Sequence, residues 1–95
     1  MIKHIVFFKL KDRSEESVAA TVAVLRNMEG KIPQLLSIEV GADIIHSDRS
    51  FDIALVTVVA SLDDLQAYQV HPAHKEVIAH INEVKDLSIA VDYVI

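Results

Sequence analysis

The chain has no cysteine, no tryptophan and only two glycines among its 95 residues. Without cysteine there is no disulfide framework, no thiolate nucleophile and no cysteine-based metal site. The two glycines, Gly30 and Gly41, stand far apart, so they form no glycine-rich phosphate loop, and this excludes the dinucleotide-binding and P-loop classes. No apolar run reaches membrane-spanning length. General acid–base chemistry and small-molecule binding remain as candidate functions.

Basic residues are the minority among the charged ones, since nine Lys and Arg stand against fourteen Asp and Glu and give a net charge of −5. A net negative chain without a basic patch argues against nucleic acid or an anionic membrane as the main partner. The first residues are typical of a β-strand and not of a signal peptide. We therefore expect a soluble cytoplasmic protein.

The hydrophobic content is high for so short a chain, at 52% of the 95 residues. This length corresponds to one domain, residues 1–95, and a domain of this size buries only part of its surface by itself. Several β segments are apolar on both faces, which is more apolar surface than one thin α+β layer can cover. A second copy of the chain is the simplest cover, so we predict a homodimer.

The residue patterns predict the order β-α-β-β-α-β, which is the ferredoxin-like arrangement in the α+β class. The first helix begins at Asp12 or Ser14 and ends at Gly30. The second helix begins after Ser61 and is interrupted at Pro72, where a second helical piece starts. The four-stranded antiparallel sheet has both helices on one face, and two such sheets from two chains pack face to face. Strands are predicted over residues 2–10, 35–45, 51–60 and 87–95, with a polar hairpin connection at 46–50.

The interrupted helix holds the side chains best suited to chemistry. His74 falls in the first turn after Pro72, where the positive end of the helix dipole disfavours imidazolium, so we predict a neutral imidazole that can accept a proton. Tyr68 can donate a hydrogen bond to a developing oxyanion, which makes the two an acid–base pair. In the alternative interpretation His74 caps or packs locally, and Tyr68 is a core aromatic residue.

Three further histidines lie either on the first strand or in the interrupted helix. His4 is the polar member of an apolar strand face, either as a hydrogen-bonded core residue or as part of a cavity wall. His71 would share a helix face with His74, and we predict it as a ligand-binding residue. No partner is evident for His80. Two imidazoles without a third ligand or a His-Glu-x-x-His pattern do not predict a metal site, and no cofactor is predicted.

Segments along nearly the whole chain resemble the stress-responsive A/B barrel family, the Dabb proteins, of the dimeric α+β barrel superfamily. The most specific is Tyr-x-x-His-Pro-x-His, which ends at His74, together with Lys-His at the start of the chain. The segments that carry the resemblance are Ile2–Lys11, Asp52–Val56, Asp64–His74 and Val91–Tyr93. The resemblance implies a ferredoxin-like protomer and a homodimer whose two sheets form a barrel.

For function the resemblance implies less, because most members of the family have no established activity. One plant member is a polyketide cyclase whose catalytic tyrosine and histidine match Tyr68 and His74, and whose histidine near the amino end matches His4. We therefore expect a pocket between sheet and helices for a small, partly apolar molecule, with acid–base chemistry on it. The alternative is a non-enzymatic stress-related dimer with structural histidines. A cofactor-independent or haem-degrading monooxygenase lacks support, because there is no tryptophan and no patterned haem ligand.

Overall fold

A computed structural model describes residues 1–95 and has the predicted order of elements, with the second helix in two pieces. The four strands form one antiparallel sheet in the order β2-β3-β1-β4. This confirms the ferredoxin-like α+β fold. No helix combines the length and the apolar character needed to cross a membrane. The elements are β1 (Ile2–Leu10), α1 (Glu15–Arg26), β2 (Ser37–Ala42), β3 (Ile53–Val59), α2 (Leu62–Val70), α3 (Pro72–Val84) and β4 (Lys85–Val94).

Side chains at the helix starts supply the first hydrogen bonds that a helix cannot make by itself. The Ser14 hydroxyl accepts a hydrogen bond from the Ser17 amide at 3.2 Å, so Ser14 and not Asp12 caps α1. The Ser61 hydroxyl accepts one from the Asp64 amide, also at 3.2 Å. Such caps satisfy backbone amide donors in the first turn, which have no acceptor within the helix. Both predicted helix starts are therefore confirmed.

The two predicted boundaries that lie furthest from the observed ones are the ends of β2 and α1, where local hydrogen bonds end the element early. Strand β2 stops at Ala42 because the Asp43 carboxylate accepts a hydrogen bond from the His46 amide at 2.6 Å, and His46 adopts a positive φ of 59°. Helix α1 ends at Arg26, with Asn27 as its cap, and the chain reaches Gly30 through tighter turns. At the end of β2 a polar side chain thus competes with regular backbone pairing, whereas backbone bonds between residues three apart end α1.

The core lies between the helices and the inner sheet face, which is the face that the helices cover. Alternate residues of β1 and β3 point into it, and the helices contribute one apolar stripe each. Fully burying a large apolar side chain contributes about 1.5–3 kcal/mol. The least exposed residues of this core are Leu10, Leu25, Met28, Ile53, Val59, Tyr68 and Ile81.

The opposite face of the sheet carries a band of apolar side chains that nothing in one chain covers. Its exposed members on β1 and β4 are Phe7, Leu87, Ile89, Val91 and Tyr93, which remain 40–54% exposed, and we call them the outer sheet face. The β1–β4 register sets Phe7 directly opposite Ile89. A monomer rarely exposes so continuous an apolar band, and such a band is typical of a protein–protein interface.

Candidate functional site

A cavity of about 250 Å³ lies between the inner sheet face and the helices. This volume equals that of roughly eight liquid water molecules at about 30 Å³ each. Its wall is mainly apolar, and the polar groups Tyr68, His74 and His4 interrupt it. The structure thus brings these three predicted site residues to one cavity. The apolar wall includes Val6 and Phe8 of β1, Leu25 of α1, Met28 from the turn after α1, and Leu55 of β3.

Tyr68 lies in the last turn of α2, three residues after Leu65, so it extends the helix stripe that faces the core. The residue has no solvent exposure, and its hydroxyl has no hydrogen-bond partner in the protein. Burial raises the pKa of Tyr68 to about 12, because removal from water disfavours the phenolate. The hydroxyl therefore keeps its proton at neutral pH and can donate a hydrogen bond to a ligand oxygen.

His74 lies in the first turn of α3, next to Tyr68, with the two ring centroids 4.5 Å apart. Its Nδ1 is 2.9 Å from the backbone oxygen of Gln69. A carbonyl oxygen only accepts, so Nδ1 must carry the proton, which leaves a lone pair on Nε2 of the neutral ring. This bond also joins the two helix pieces across the break at Pro72.

The pKa of the His74 imidazole is lowered from its ordinary value of 6.5, as the sequence predicts. Burial is the largest cause, and it disfavours the charged ring. The hydrogen bond to the Gln69 carbonyl raises the pKa, whereas the charges of His4 and His71 lower it. Burial therefore favours the neutral His74 ring, in the same direction as the helix dipole on which the prediction rested.

His4 is buried on the inner sheet face, and its Nδ1 is hydrogen-bonded to the carboxylate of Asp92. The β1–β4 register sets His4 directly opposite Asp92, so both side chains point to the same face. The carboxylate accepts from Nδ1 and thereby fixes the orientation of the ring. The His4 and Tyr68 ring centroids are 6.1 Å apart in an edge-to-face arrangement.

The other two histidines of this region do not line the cavity. Nδ1 of His71 accepts a hydrogen bond from the Ala73 amide at 3.1 Å, so this side chain caps α3. Nε2 of His80 is buried without a hydrogen-bond partner. The structure does not bring His71 to the cavity wall, and its part in ligand binding stays a prediction.

The residues of the site that sequence reasoning missed include Asp92, the partner of His4, and Lys85, which is part of the cavity wall. Asp92 carried a partial signal, since the predicted topology makes β1 and β4 antiparallel neighbours, but aligning the predicted strands end to end pairs His4 with Tyr93, one position away. Lys85 gave none, because it precedes the predicted strand. No group of three or more His, Asp or Glu side chains is arranged to hold a metal ion.

The fold and the cavity define a ferredoxin-like α+β protein with a small, mostly apolar pocket that contains a tyrosine and two histidines. Residues 2–95 match the family model described as the stress-responsive A/B barrel domain, Dabb. An uncharacterized protein of Streptomyces coelicolor is 37% identical over 82 residues, which are 83% of this chain and 84% of that protein. The chain belongs to the Dabb family.

Two solved structures of similar proteins agree with this assignment. A dimeric protein of unknown function with a ferredoxin-like fold from Bacteroides fragilis is 30% identical, with a TM-score of 0.83 over 99% of this chain and 95% of that one. A dimeric ferredoxin-like protein of unknown function from Thermobifida fusca is 28% identical, with a TM-score of 0.87 over 99% and 90%. Both are similar to this chain along nearly its whole length.

Proposed function

We propose that the protein is a homodimer in which each subunit binds a small, partly apolar carbonyl compound and transfers a proton on it. The cavity of about 250 Å³ provides the binding site, and Tyr68 and His74 provide the chemistry. The outer sheet face and the dimeric state of the two similar structures support the homodimer. Two sheets packed face to face would bury this apolar band.

The observation that carries this proposal is the buried Tyr68 hydroxyl without a partner. Leaving a buried polar group unsatisfied costs about 1–3 kcal/mol, and native proteins rarely retain such a group without a reason. A ligand oxygen in the cavity would accept its hydrogen bond. Nε2 of the neighbouring His74 carries a lone pair, so a donor and an acceptor lie side by side in an apolar enclosure.

Such a pair can act on a carbon atom next to a carbonyl group. Nε2 of His74 would take the proton, the C–H electron pair would move into the enolate, and the Tyr68 hydroxyl would stabilise the oxygen that gains charge. The enolate then recovers a proton or attacks a second carbonyl carbon. His4, held by Asp92, would orient the substrate from the β1 side.

Thermal unfolding with small ketones of about six to ten carbon atoms, such as octan-2-one, tests this proposal. At a concentration of about 100 times Kd, a ligand adds about 2.7 kcal/mol to stability, so it raises Tm measurably. We expect the shift in the original protein and in His46→Gln, whose imidazole lies in the β2–β3 connection. Tyr68→Phe and His74→Gln should lose it. Equal shifts in all four proteins would contradict the proposal.

A second candidate function is a non-enzymatic stress-related dimer in which the histidines only stabilise the helix break. The hydrogen bonds of His71 and His74 to backbone atoms around Pro72 favour it. His74→Ala separates the two candidates. If the protein is a non-enzymatic dimer, the variant loses several kcal/mol of stability or dissociates, and no ketone shifts the Tm of the original protein. If the protein binds and transforms a carbonyl compound, the variant stays folded and loses ligand binding only.

A further inference from the structure

The cavity has a cationic end that the acid–base chemistry does not use. Lys85 is the one residue of the cavity wall with a formally charged side chain, since no Asp, Glu or Arg lines the cavity. The ion pairs of the chain are His4–Asp92 and Arg13–Asp52, and neither includes Lys85. No side-chain hydrogen bond occupies its ammonium group either, although the residue is partly buried. Lys85 is therefore a cation in the cavity wall that no acidic side chain of the protein neutralises.

The strand register locates this cation relative to the histidines. Lys85 pairs with Leu10 of β1, six positions after His4, which is a span of roughly 20 Å at about 3.3 Å per residue. Along α3, Lys85 follows His74 by eleven positions, or roughly 16 Å at about 1.5 Å per residue. The backbone spans along β1 and α3 thus place Lys85 at the opposite end of the cavity wall from His4 and His74.

The wall between these ends is apolar, because Val6 and Phe8 follow His4 on the inner face of β1. The polar groups of Asn82 and Ser88 stand in the cavity wall near the Lys85 end, since Ser88 pairs with Phe8 and Asn82 precedes Lys85 by three positions. At the other end the Asp92 carboxylate beside His4 would repel an anion. The charges therefore orient a ligand in one direction only.

We infer that the cavity takes a linear keto acid, with its keto oxygen at Tyr68, its chain along Val6 and Phe8, and its carboxylate at Lys85. This inference rests on the proposed function and adds the chemical class of the substrate. The volume of about 250 Å³ accommodates a chain of about eight carbon atoms, since a methylene group is close in size to a water molecule. The spans given above join backbone positions, so a Lys85 side chain extended toward the ligand would shorten the distance that the ligand must bridge.

Calorimetric titration with three matched probes tests the inference. The probes are 7-oxooctanoate, its neutral amide 7-oxooctanamide, and octan-2-one, which lacks the polar end. We expect the original protein to bind the carboxylate at least about tenfold more tightly than the amide, because the contact is charge-assisted. Lys85→Met should remove this preference, so that the variant binds the carboxylate and the amide with about equal affinity. Lys11→Met, which removes an exposed cation outside the cavity, should retain the preference.

The outcomes separate this inference from the function on which it rests. If octan-2-one binds in a Tyr68-dependent way but the carboxylate binds no better than the amide, the Lys85 site is wrong and the proposed function stands. If none of the three probes binds, both fail. A carboxylate preference that persists in Lys85→Met also overturns the inference. Circular dichroism checks the fold of the variant, and Lys85→Gln repeats the test with a polar neutral side chain.

Discussion

Tyr68 is buried in the cavity wall with a hydroxyl that the folded chain leaves unpaired. Tyr68→Phe removes that group and keeps the ring, so we expect the free energy of unfolding to rise by about 1 kcal/mol while ketone binding is lost. Urea unfolding measures the stability. Tyr93→Phe, which removes a hydroxyl that is not buried without a partner in the chain, should bring no comparable gain. A Tyr68→Phe protein less stable than the original would mean that the hydroxyl has a partner in the folded state.

The lowered pKa of His74 gives stability a defined dependence on pH. Above pH 6.5 the imidazole is neutral in both the folded and the unfolded chain, so it adds no slope. Below pH 6.5 the unfolded chain takes up a proton that folded His74 resists, and stability falls as the pH drops. We expect an NMR titration midpoint below 6.5 for His74, assigned by comparison with His74→Gln, which should also show a shallower loss of stability in acid. A midpoint at or above 6.5 would contradict the assignment.

At the residue scale, the sequence is informative where the chemistry is local. Tyr68 and His74 are only six positions apart, on either side of a proline, so the sequence indicates that they lie near each other without fixing how their rings meet. The pairing of His4 with Asp92 spans 88 positions and depends on strand register. A shift of one residue would turn either side chain to the opposite face, which is why composition and local pattern did not reveal this pair.

The break between α2 and α3 shows how a proline and a histidine cooperate in one element. Pro72 starts α3, and His71 caps it through the Ala73 amide. His71→Ala should lower the free energy of unfolding by about 1 kcal/mol, the usual contribution of an N-cap, and His71→Asn should restore it. Both variants should bind octan-2-one like the original protein. Loss of binding in a folded His71→Asn protein would instead support the predicted ligand-binding role of His71.

Element boundaries are predictable where hydrophobic periodicity and the cap coincide, as in β1 and at the Ser14 and Ser61 helix starts. They are not predictable where a polar side chain redirects an apolar run. Ile44 and Ile45 continue the pattern of β2, yet the turn formed by Asp43 and His46 leaves both isoleucines exposed. Periodicity records the apolar residues and not the local hydrogen bonds that end a strand.

At the scale of the whole molecule, the outer sheet face determines the assembly. Ile89→Lys puts a charge in the middle of this face, so we expect the variant to be a monomer in light scattering, with a free energy of unfolding that no longer depends on protein concentration. Leu62→Lys changes an exposed leucine of α2, at 65% exposure, and should leave the dimer intact. A dimeric Ile89→Lys protein would move the interface to another surface.

Strand β1 is made first, but its two neighbours in the sheet are β3 and β4. At about 5–20 residues per second, the ribosome needs roughly 4 to 18 seconds to pass from His4 to Asp92, 88 positions later. Throughout that interval the edge of β1 that pairs with β4 stays unpaired, and an unpaired strand edge is a template for pairing with other chains. The arrangement that places His4 in an inner strand of the sheet therefore leaves an apolar strand edge open to aggregation until β4 is synthesised.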